Sequence, residues 1–337
     1  PEFNQYGDSM KKTLTFIAYN VLILLILFGV LEVAARIIWG RPYLYDVNMR
    51  LVWVSKPNQK NGFFHPLDPD RFSTDEQRLR RTGNERYDDP SLDILLVGDS
   101  FGFGWGVSDN ETWASILETE LRDNGYRANV WNAANPGYST EQIILRWQTQ
   151  VEKRKFDYIV YTLMPKDEIR FQPQGEKRKA YVQQRKNRQI FKQSSFIAAF
   201  YQILLKPQDI GRVYTEEHKE IKQQMKEKWD SESIWMRYWP YWEELIANEN
   251  SGQVVVVQVT PDEEGFSEFF INHLENNDAI PFISVVEEID SLEAEGVEIS
   301  AGKYVAHYGE EVNELIGKRT AAVILDHLVP RDQDGIP

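Results

Sequence analysis

The chain has 337 residues, 42% of them apolar, and a formal net charge of −14. That apolar fraction supports a folded core and argues against global disorder. The acidic balance argues against nucleic acid as a partner, because binding to phosphates requires a basic surface. Since the chain has no cysteine, disulfides, thiolate metal sites and cysteine nucleophiles are excluded as well.

The first predicted element is an apolar helix over Thr13–Trp39. At about 1.5 Å per residue it can cross a hydrocarbon core of about 30 Å, and residues 1–12 precede it as a tail. Glu32 and Arg36 lie one turn apart and are expected to pair near the far interface. A cleaved signal peptide is the alternative, which we disfavour because its apolar core is typically only about 7–15 residues long. Basic residues flank the helix on both sides and do not fix its orientation.

The region 40–90 is rich in Pro, Asn, Asp and Arg and is predicted to be an irregular connector that packs on the domain after it. Over residues 91–330, apolar runs typical of buried strands alternate with helical patterns, which predicts an α/β fold whose parallel sheet is covered on both faces. A mostly helical insertion is expected near 168–248. The predicted strands are Ile94–Val97, Ala128–Trp131, Tyr158–Leu163 and Val254–Val259, and the predicted helices are Glu111–Asn124, Thr140–Lys155 and Glu310–Leu328.

Residues 94–107, ILLVGDSFGFGWGV, lead from a hydrophobic strand directly into a glycine-rich turn that carries Ser100. Open α/β sheets build their sites at the carboxyl ends of such strands. The turn is not a phosphate loop, because the Lys-Ser/Thr pair that would follow is missing. The motif favours a serine-based site, and the alternative for Ser100 is a turn residue that caps the next helix.

This block resembles the first signature block of the SGNH, or GDSL-type, serine hydrolases, and the layout with an N-terminal anchor resembles their membrane-anchored bacterial members. The resemblance covers residues 94–328 and implies a three-layer, flavodoxin-like fold. Three further segments resemble the remaining blocks in the same order: VWNAANPGYST at 130–140, IVYTLMPKDE at 159–168 and HYGEEVNELIG at 307–317.

In that family the serine is the nucleophile and the histidine its general base, while backbone amides and an asparagine side chain bind the oxyanion. The resemblance implies Ser100 as nucleophile, His307 as base and Gly137 as an oxyanion donor. Lys166 stands in the position of the asparagine. The alternative for His307 is a purely structural role at the start of a helix.

Two elements depart from the family pattern. A lysine at position 166 can donate to an oxyanion, but it lacks the fixed geometry of an amide. The acid that orients the histidine should stand two or three residues before it, where the chain has Val305 and Tyr304. Loss of that acid can cost on the order of 10⁴ in rate. Because triads are recognised by geometry, the carboxylates that could replace it are Glu298, Asp167 and Asp262.

The segment Glu176–Lys192 carries seven basic residues and one acidic residue in an otherwise acidic chain. This pattern fits a solvated helix face, and it equally fits contact with anionic lipid headgroups or an acidic partner.

The run 229–246 contains four tryptophans and two tyrosines around Pro240. Such aromatics usually belong to a core, but a cluster of this kind also resembles an interface hot spot or a surface that stacks on sugars. The residues of the interface interpretation are Trp235, Trp239, Trp242 and Arg237.

No metal or cofactor is expected, because the histidines show no pairing at ligand spacing. They are His65, His218, His273, His307 and His327.

Two functions fit these observations. The first is an accessory or structural subunit with a degenerate catalytic site, which binds other membrane or envelope proteins. The second is a serine esterase or O-acyltransferase that moves acetyl groups on an envelope glycan or lipid. Sugar binding without turnover is a third alternative. In each case the resemblance and the anchor imply a single-pass protein of the inner (cytoplasmic) membrane, with its domain on the periplasmic side.

Overall fold

The computed structural model describes residues 2–165, 175–205, 230–263, 265–276, 279–301 and 307–328. The strands are β1 (Arg41–Pro42), β2 (Tyr45–Asn48), β3 (Val52–Ser55), β4 (Gly62–Phe63), β5 (Arg71–Phe72), β6 (Leu92–Val97), β7 (Ala128–Asn132), β8 (Tyr158–Leu163), β9 (Gln253–Gln258) and β10 (Phe282–Ser284). The helices are α1 (Glu2–Ile38), α2 (Ser100–Phe103), α3 (Trp113–Asp123), α4 (Thr140–Val151), α5 (Gly175–Lys192), α6 (Ser195–Phe200), α7 (Ser231–Trp235), α8 (Trp239–Ile246), α9 (Glu268–Glu275), α10 (Val286–Ala294) and α11 (Glu310–Leu328).

The core is a five-stranded sheet in the order β10-β9-β8-β6-β7, with every neighbouring pair parallel. Read from β7, the strands run 2-1-3-4-5 in chain order, which is the flavodoxin-like arrangement. The central strands are buried on both faces, as their unbroken apolar runs require: residues 94–97 of β6 and 255–257 of β9 have no exposed surface. The predicted α/β fold with a parallel sheet is confirmed.

Helices cover both faces of this sheet. From β6 the chain passes through α3 to β7 on one side, and then through α4 to β8 on the other side of β6. Because both crossovers are right-handed, α4 lies on one face of the sheet, while α3 and α11 lie on the other. On one face α3 and α11 approach so closely that a Cβ at Gly317 would lie 2.6 Å from Ile116. On the other, α4 meets α8 where the rings of Trp147 and Trp242 cross at 5.4 Å.

The four predicted strands are present, Tyr158–Leu163 with the predicted ends and the other three with ends shifted by one or two residues, and β10 is an additional short edge strand. The helix predicted to run to Lys155 ends at Val151, before the charged run that leads into β8. The helix begins after Ser139, which forms a reciprocal capping box with Gln142. The connector is not wholly irregular, because it contains two small sheets, β1-β4-β5 and β2-β3.

Helix α1 begins earlier than predicted, so the expected tail is helical from Glu2 onward. Within it, Lys11–Ile38 is apolar and long enough to cross a membrane, and its apolar stretch is almost unburied against the rest of the chain. By length and composition this helix fits either a membrane anchor or a signal sequence.

The carboxylate of Glu32 joins α1 to the folded domain. It pairs with Arg36 at 2.6 Å, as predicted, and also accepts hydrogen bonds from the Ser194 hydroxyl at 2.7 Å and from the backbone N–H groups of Ser195 and Phe196 at 3.1 Å each. These N–H groups belong to the first turn of α6 and have no partner within that helix. A side chain of α1 therefore caps a helix more than 160 residues further along the chain.

Replacing Glu32 with alanine leaves the first turn of α6 without its external acceptor. We expect the local opening free energy to fall by about 1–2 kcal/mol, which corresponds to roughly 5- to 30-fold faster amide exchange at Ser195 and Phe196. Hydrogen–deuterium exchange on the detergent-solubilised full chain measures this. Glu76→Ala, at an exposed carboxylate, is the matched control. Unchanged exchange in the Glu32 variant would contradict the capping role.

Candidate active site

The turn after β6 carries Ser100 into the site. A Cβ added at Gly98 or Gly102 would lie 2.6 Å or 2.8 Å from Thr162 Oγ1 on β8, so glycine at both positions lets the turn lie directly on the neighbouring strand. Asp99 caps the short α2 by accepting from the Phe101 N–H at 2.9 Å. Ser100 is therefore the first residue of α2, at the carboxyl end of the sheet.

The Ser100 hydroxyl lies in contact with His307. The distance from Ser100 Oγ to His307 Nε2 is 2.8 Å, although the two residues are 207 positions apart in sequence. The hydroxyl is also 3.2 Å from a carboxylate oxygen of Asp99. The imidazole packs against Phe101 at 4.9 Å and is 6.4 Å from Trp105, ring centre to ring centre. The nucleophile and base predicted from the sequence are thus brought within hydrogen-bonding distance.

The chain directly after His307 is fixed by two contacts with the core. The Tyr308 hydroxyl donates to the carbonyl of Val259, just after β9, at 2.7 Å, and burial raises the pKa of Tyr308, which keeps that proton in place. The Asn313 side chain accepts from the Trp113 N–H at 3.1 Å and so joins the first turn of α11 to α3. The chain that carries the histidine is therefore tied to the end of β9 and to α3.

Gly137 lies in the loop after β7, beside the serine turn. The Asn135 N–H donates to the Gly98 carbonyl at 3.1 Å, which joins the two loops. Gly137 is exposed and has a φ of +76°, a conformation that favours glycine. Within the described residues, its N–H and that of Ser100 have no acceptor, so both remain available to an oxyanion.

Asn135 is a residue of this region that the sequence did not single out. Its fully buried side chain accepts from the Ser55 N–H at 2.8 Å and hydroxyl at 2.6 Å, and donates to the Ala133 carbonyl at 3.1 Å. It joins the Gly137 loop to the connector strand β3. The only local signal is an asparagine directly before Pro-Gly, which is typical of turns and does not reveal a distant partner.

Arg80 supports the serine turn from the connector. Its guanidinium has no exposed surface and donates to the backbone carbonyls of Phe103 at 3.0 Å, Val107 at 2.6 Å and Gly104, with Asp109 Oδ1 at 3.3 Å. Burial lowers the pKa of Arg80, and the charge of Asp109 opposes that shift. One buried cation therefore holds the carbonyls of the segment that follows Ser100.

Several residues of the expected site lie outside the described residues: Lys166, Asp167, Tyr304 and Val305. Of the other candidate acids, Asp262 accepts from the N–H groups of Phe266 and Ser267 at 2.9 and 2.7 Å and so shapes the turn before α9. Glu298 lines a polar cleft with Asp70, Glu111, Glu310 and Glu311. Among the described residues, no group of three or more His, Asp or Glu side chains is placed to hold a metal ion.

The aromatic run is mainly part of the core. Trp235 and Trp242 have no exposed surface, and Trp235 stacks on Phe270 with ring centres 3.6 Å apart. This corrects the interface interpretation for both tryptophans, because their rings fill the space between α4, α7 and α9. Trp239 is partly buried, and Arg237 is exposed.

Two basic residues of α5 have structural partners. Arg178 is buried and donates to the carbonyl of Met49 at 2.8 Å, and it lies 3.3 Å from Glu141. Arg185 lies over the ring of Trp53 at 4.2 Å. Lys177, Lys179 and Lys186 are exposed, so the basic segment is divided between packing and a solvated face.

No protein-family model and no curated protein matches this sequence. Similar solved structures include a member of the lipolytic protein G-D-S-L family from Veillonella parvula, with 14% identity, a TM-score of 0.43, and coverage of 70% of this chain and 99% of that chain. A carbohydrate acetylesterase family member from Sinorhizobium meliloti has 11% identity and a TM-score of 0.37, with 70% and 99% covered. A psychrotrophic esterase from Pseudoalteromonas sp. has 12% identity and a TM-score of 0.39, with 71% and 99% covered.

Replacing Arg80 with methionine leaves three carbonyls of the serine turn and Asp109 without their donor. We expect the free energy of unfolding to fall by about 3 kcal/mol or more. Arg127→Met, which removes an exposed ion pair to Asp89, should cost less than about 1 kcal/mol. Chemical denaturation of both variants measures the difference, and equal stabilities would contradict the role given to Arg80.

Proposed function

We propose that this protein is a membrane-anchored serine ester hydrolase or acyltransferase in which Ser100 is the nucleophile and His307 the general base. The observation that carries the proposal is the 2.8 Å contact between Ser100 Oγ and His307 Nε2. A hydroxyl becomes an effective nucleophile when a positioned base can take its proton, and this distance is within the range that such transfer needs.

The chemistry follows from the positions of these groups. Ser100 Oγ attacks the acyl carbonyl carbon while its proton passes to His307 Nε2, and negative charge develops on the carbonyl oxygen. The N–H groups of Ser100 and Gly137 are the proposed donors to that oxygen. The bond to the leaving alcohol then breaks, the alcohol takes the proton from His307, and an acyl-Ser100 remains. Water or an acceptor alcohol, deprotonated by His307, then attacks this ester. The bond between the acyl carbon and Ser100 Oγ breaks, Oγ takes the proton back from His307, and the acyl group leaves as the free acid or as the new ester.

The alternative of an accessory subunit with a degenerate site is the less supported of the two. It rested on the residues that stand where the family has its asparagine and its acid, and these lie outside the described residues. Among the described residues, Tyr308 and Asn313 hold the chain after the histidine, and Asp99 and Arg80 hold the serine turn. Such support on both partners favours a working pair, because a catalytic geometry must be fixed by its surroundings.

The proposed substrate and the proposed location both follow from the membrane anchor. If Lys11–Ile38 spans the membrane, the site is confined near a membrane surface, and its acyl donors and acceptors are groups found there. We propose acetyl esters of an envelope glycan or lipid as the substrate class. The proposed location is the inner (cytoplasmic) membrane, with the domain on the periplasmic side and other envelope proteins as neighbours.

The test uses a fluorophosphonate, which reacts covalently with an activated serine. We expect the full chain to be labelled and Ser100→Ala to lose the label. His307→Ala should react about 10²- to 10⁴-fold more slowly, because the base is missing. Ser284→Ala, an exposed serine on β10, is the matched control and should label like the unmodified chain.

Equal labelling of the unmodified chain and the Ser100 variant would contradict the proposal and favour the accessory subunit. Hydrolysis and transfer are separated by supplying an acetyl ester with and without a glycan alcohol. A transferase acetylates the glycan, whereas a hydrolase releases acetate in both cases.

A further inference from the structure

The segment Ser195–Leu205, which comprises α6 and the π-helical turn that follows it, exposes an unusual amount of apolar surface. Four of its large apolar side chains are exposed by 38% to 59%, although Ala198 and Ala199 on the same helix are buried. A face of this kind normally marks a contact with another protein or with a membrane. The exposed residues are Ile197, Phe200, Tyr201 and Leu204.

This face continues directly from the apolar surface of α1. The rings of Phe28 and Phe196 meet edge to face at 6.1 Å, and Glu32 caps the first turn of α6. Glu32 is six residues before Ile38, or about 9 Å along the helix axis. The segment therefore begins near the carboxyl end of the apolar helix, at the depth where a spanning helix leaves the hydrocarbon core.

Positive charge surrounds the same end of α1. Arg41 follows the helix directly and shares a cleft with Lys56 and Lys60. In a chain with a net charge of −14, this local excess of cations matches the anionic headgroups of a lipid surface.

We propose that Ser195–Leu205 lies in the headgroup region of the bilayer that α1 spans, with its apolar face toward the lipid and the cations around it. The proposal rests on the membrane anchoring given above. Lipid is the partner of this face because the face is continuous with the spanning helix and is bordered by positive charge. Together the two helices hold the domain against the membrane at two places.

The same segment reaches toward the active site. The Gln202 side chain donates to the Phe64 carbonyl at 3.4 Å, the Phe64 ring packs on Trp105 at 4.9 Å, and Trp105 adjoins His307. Two aromatic side chains thus separate the proposed lipid contact from the catalytic base. Docking of the segment brings the site close to the membrane surface, where it meets esters carried by lipids or by glycans attached to them.

Because the chain has no cysteine, a single introduced cysteine can be labelled uniquely with the fluorophore NBD. The probe sites are Phe200→Cys and Leu204→Cys in the full-length chain, reconstituted in nanodiscs of phosphatidylcholine and phosphatidylglycerol that carry a nitroxide near the headgroup. The matched control is Asp326→Cys, exposed near the end of α11 and therefore about 24 Å along that helix from its first residue.

We expect NBD at positions 200 and 204 to lose about half or more of its fluorescence to the nitroxide, while NBD at position 326 is unaffected. A further probe, Leu24→Cys in the middle of α1, is measured in nanodiscs that carry the nitroxide deep in the acyl chains. It tests whether α1 spans the membrane, separately from the docking of Ser195–Leu205. Quenching at position 24 without quenching at 200 and 204 would overturn the docking of Ser195–Leu205 and leave the anchor in place. No quenching at position 24 would overturn both.

Discussion

Burying the guanidinium of Arg80 takes its N–H donors out of water, so these donors need acceptors within the protein, since an unpaired buried donor would cost free energy. The acceptors are the carbonyls of Phe103, Gly104 and Val107 and the carboxylate of Asp109. The backbone N–H of Arg80 donates to the carbonyl of Asn132, the last residue of β7. The connector, the serine turn and the neighbouring strand are therefore one structural unit, and the position of the nucleophile depends on a residue that lies outside the predicted catalytic domain.

A second constraint extends from the site toward α1. Trp105 follows the serine turn and packs on Phe64 of the connector, which accepts a hydrogen bond from Gln202, and the segment of Gln202 begins where Glu32 caps it. A helix that was cleaved as a signal sequence would take this cap with it. The contacts of Glu32 therefore favour an α1 that is retained as part of the mature protein, which agrees with the proposed anchor.

The parts that sequence could predict are those with local signals. Continuous apolar runs identified the central strands, and the glycine-rich turn identified Ser100. The pairing of Ser100 with His307 followed from a resemblance of ordered blocks. Strand β10 was missed because three residues carry no periodicity. The buried role of Arg80 is not predictable from its sequence context, because arginine is usually exposed. For Glu32 the sequence predicts only the ion pair with Arg36, because its other partners lie far along the chain. The burial of Trp235 and Trp242 likewise depends on packing that no local pattern shows.

The central claim is that Ser100 carries the acyl group. The most direct measurement is to mix the full chain with an aryl acetate, quench with acid within one turnover, and locate the acetyl group by mass spectrometry of the peptides. The account predicts acetyl on Ser100 and, with His307→Ala, acetylation slowed by about 10²-fold or more. Acetyl on lysines alone, at equal rates in both proteins, would contradict it.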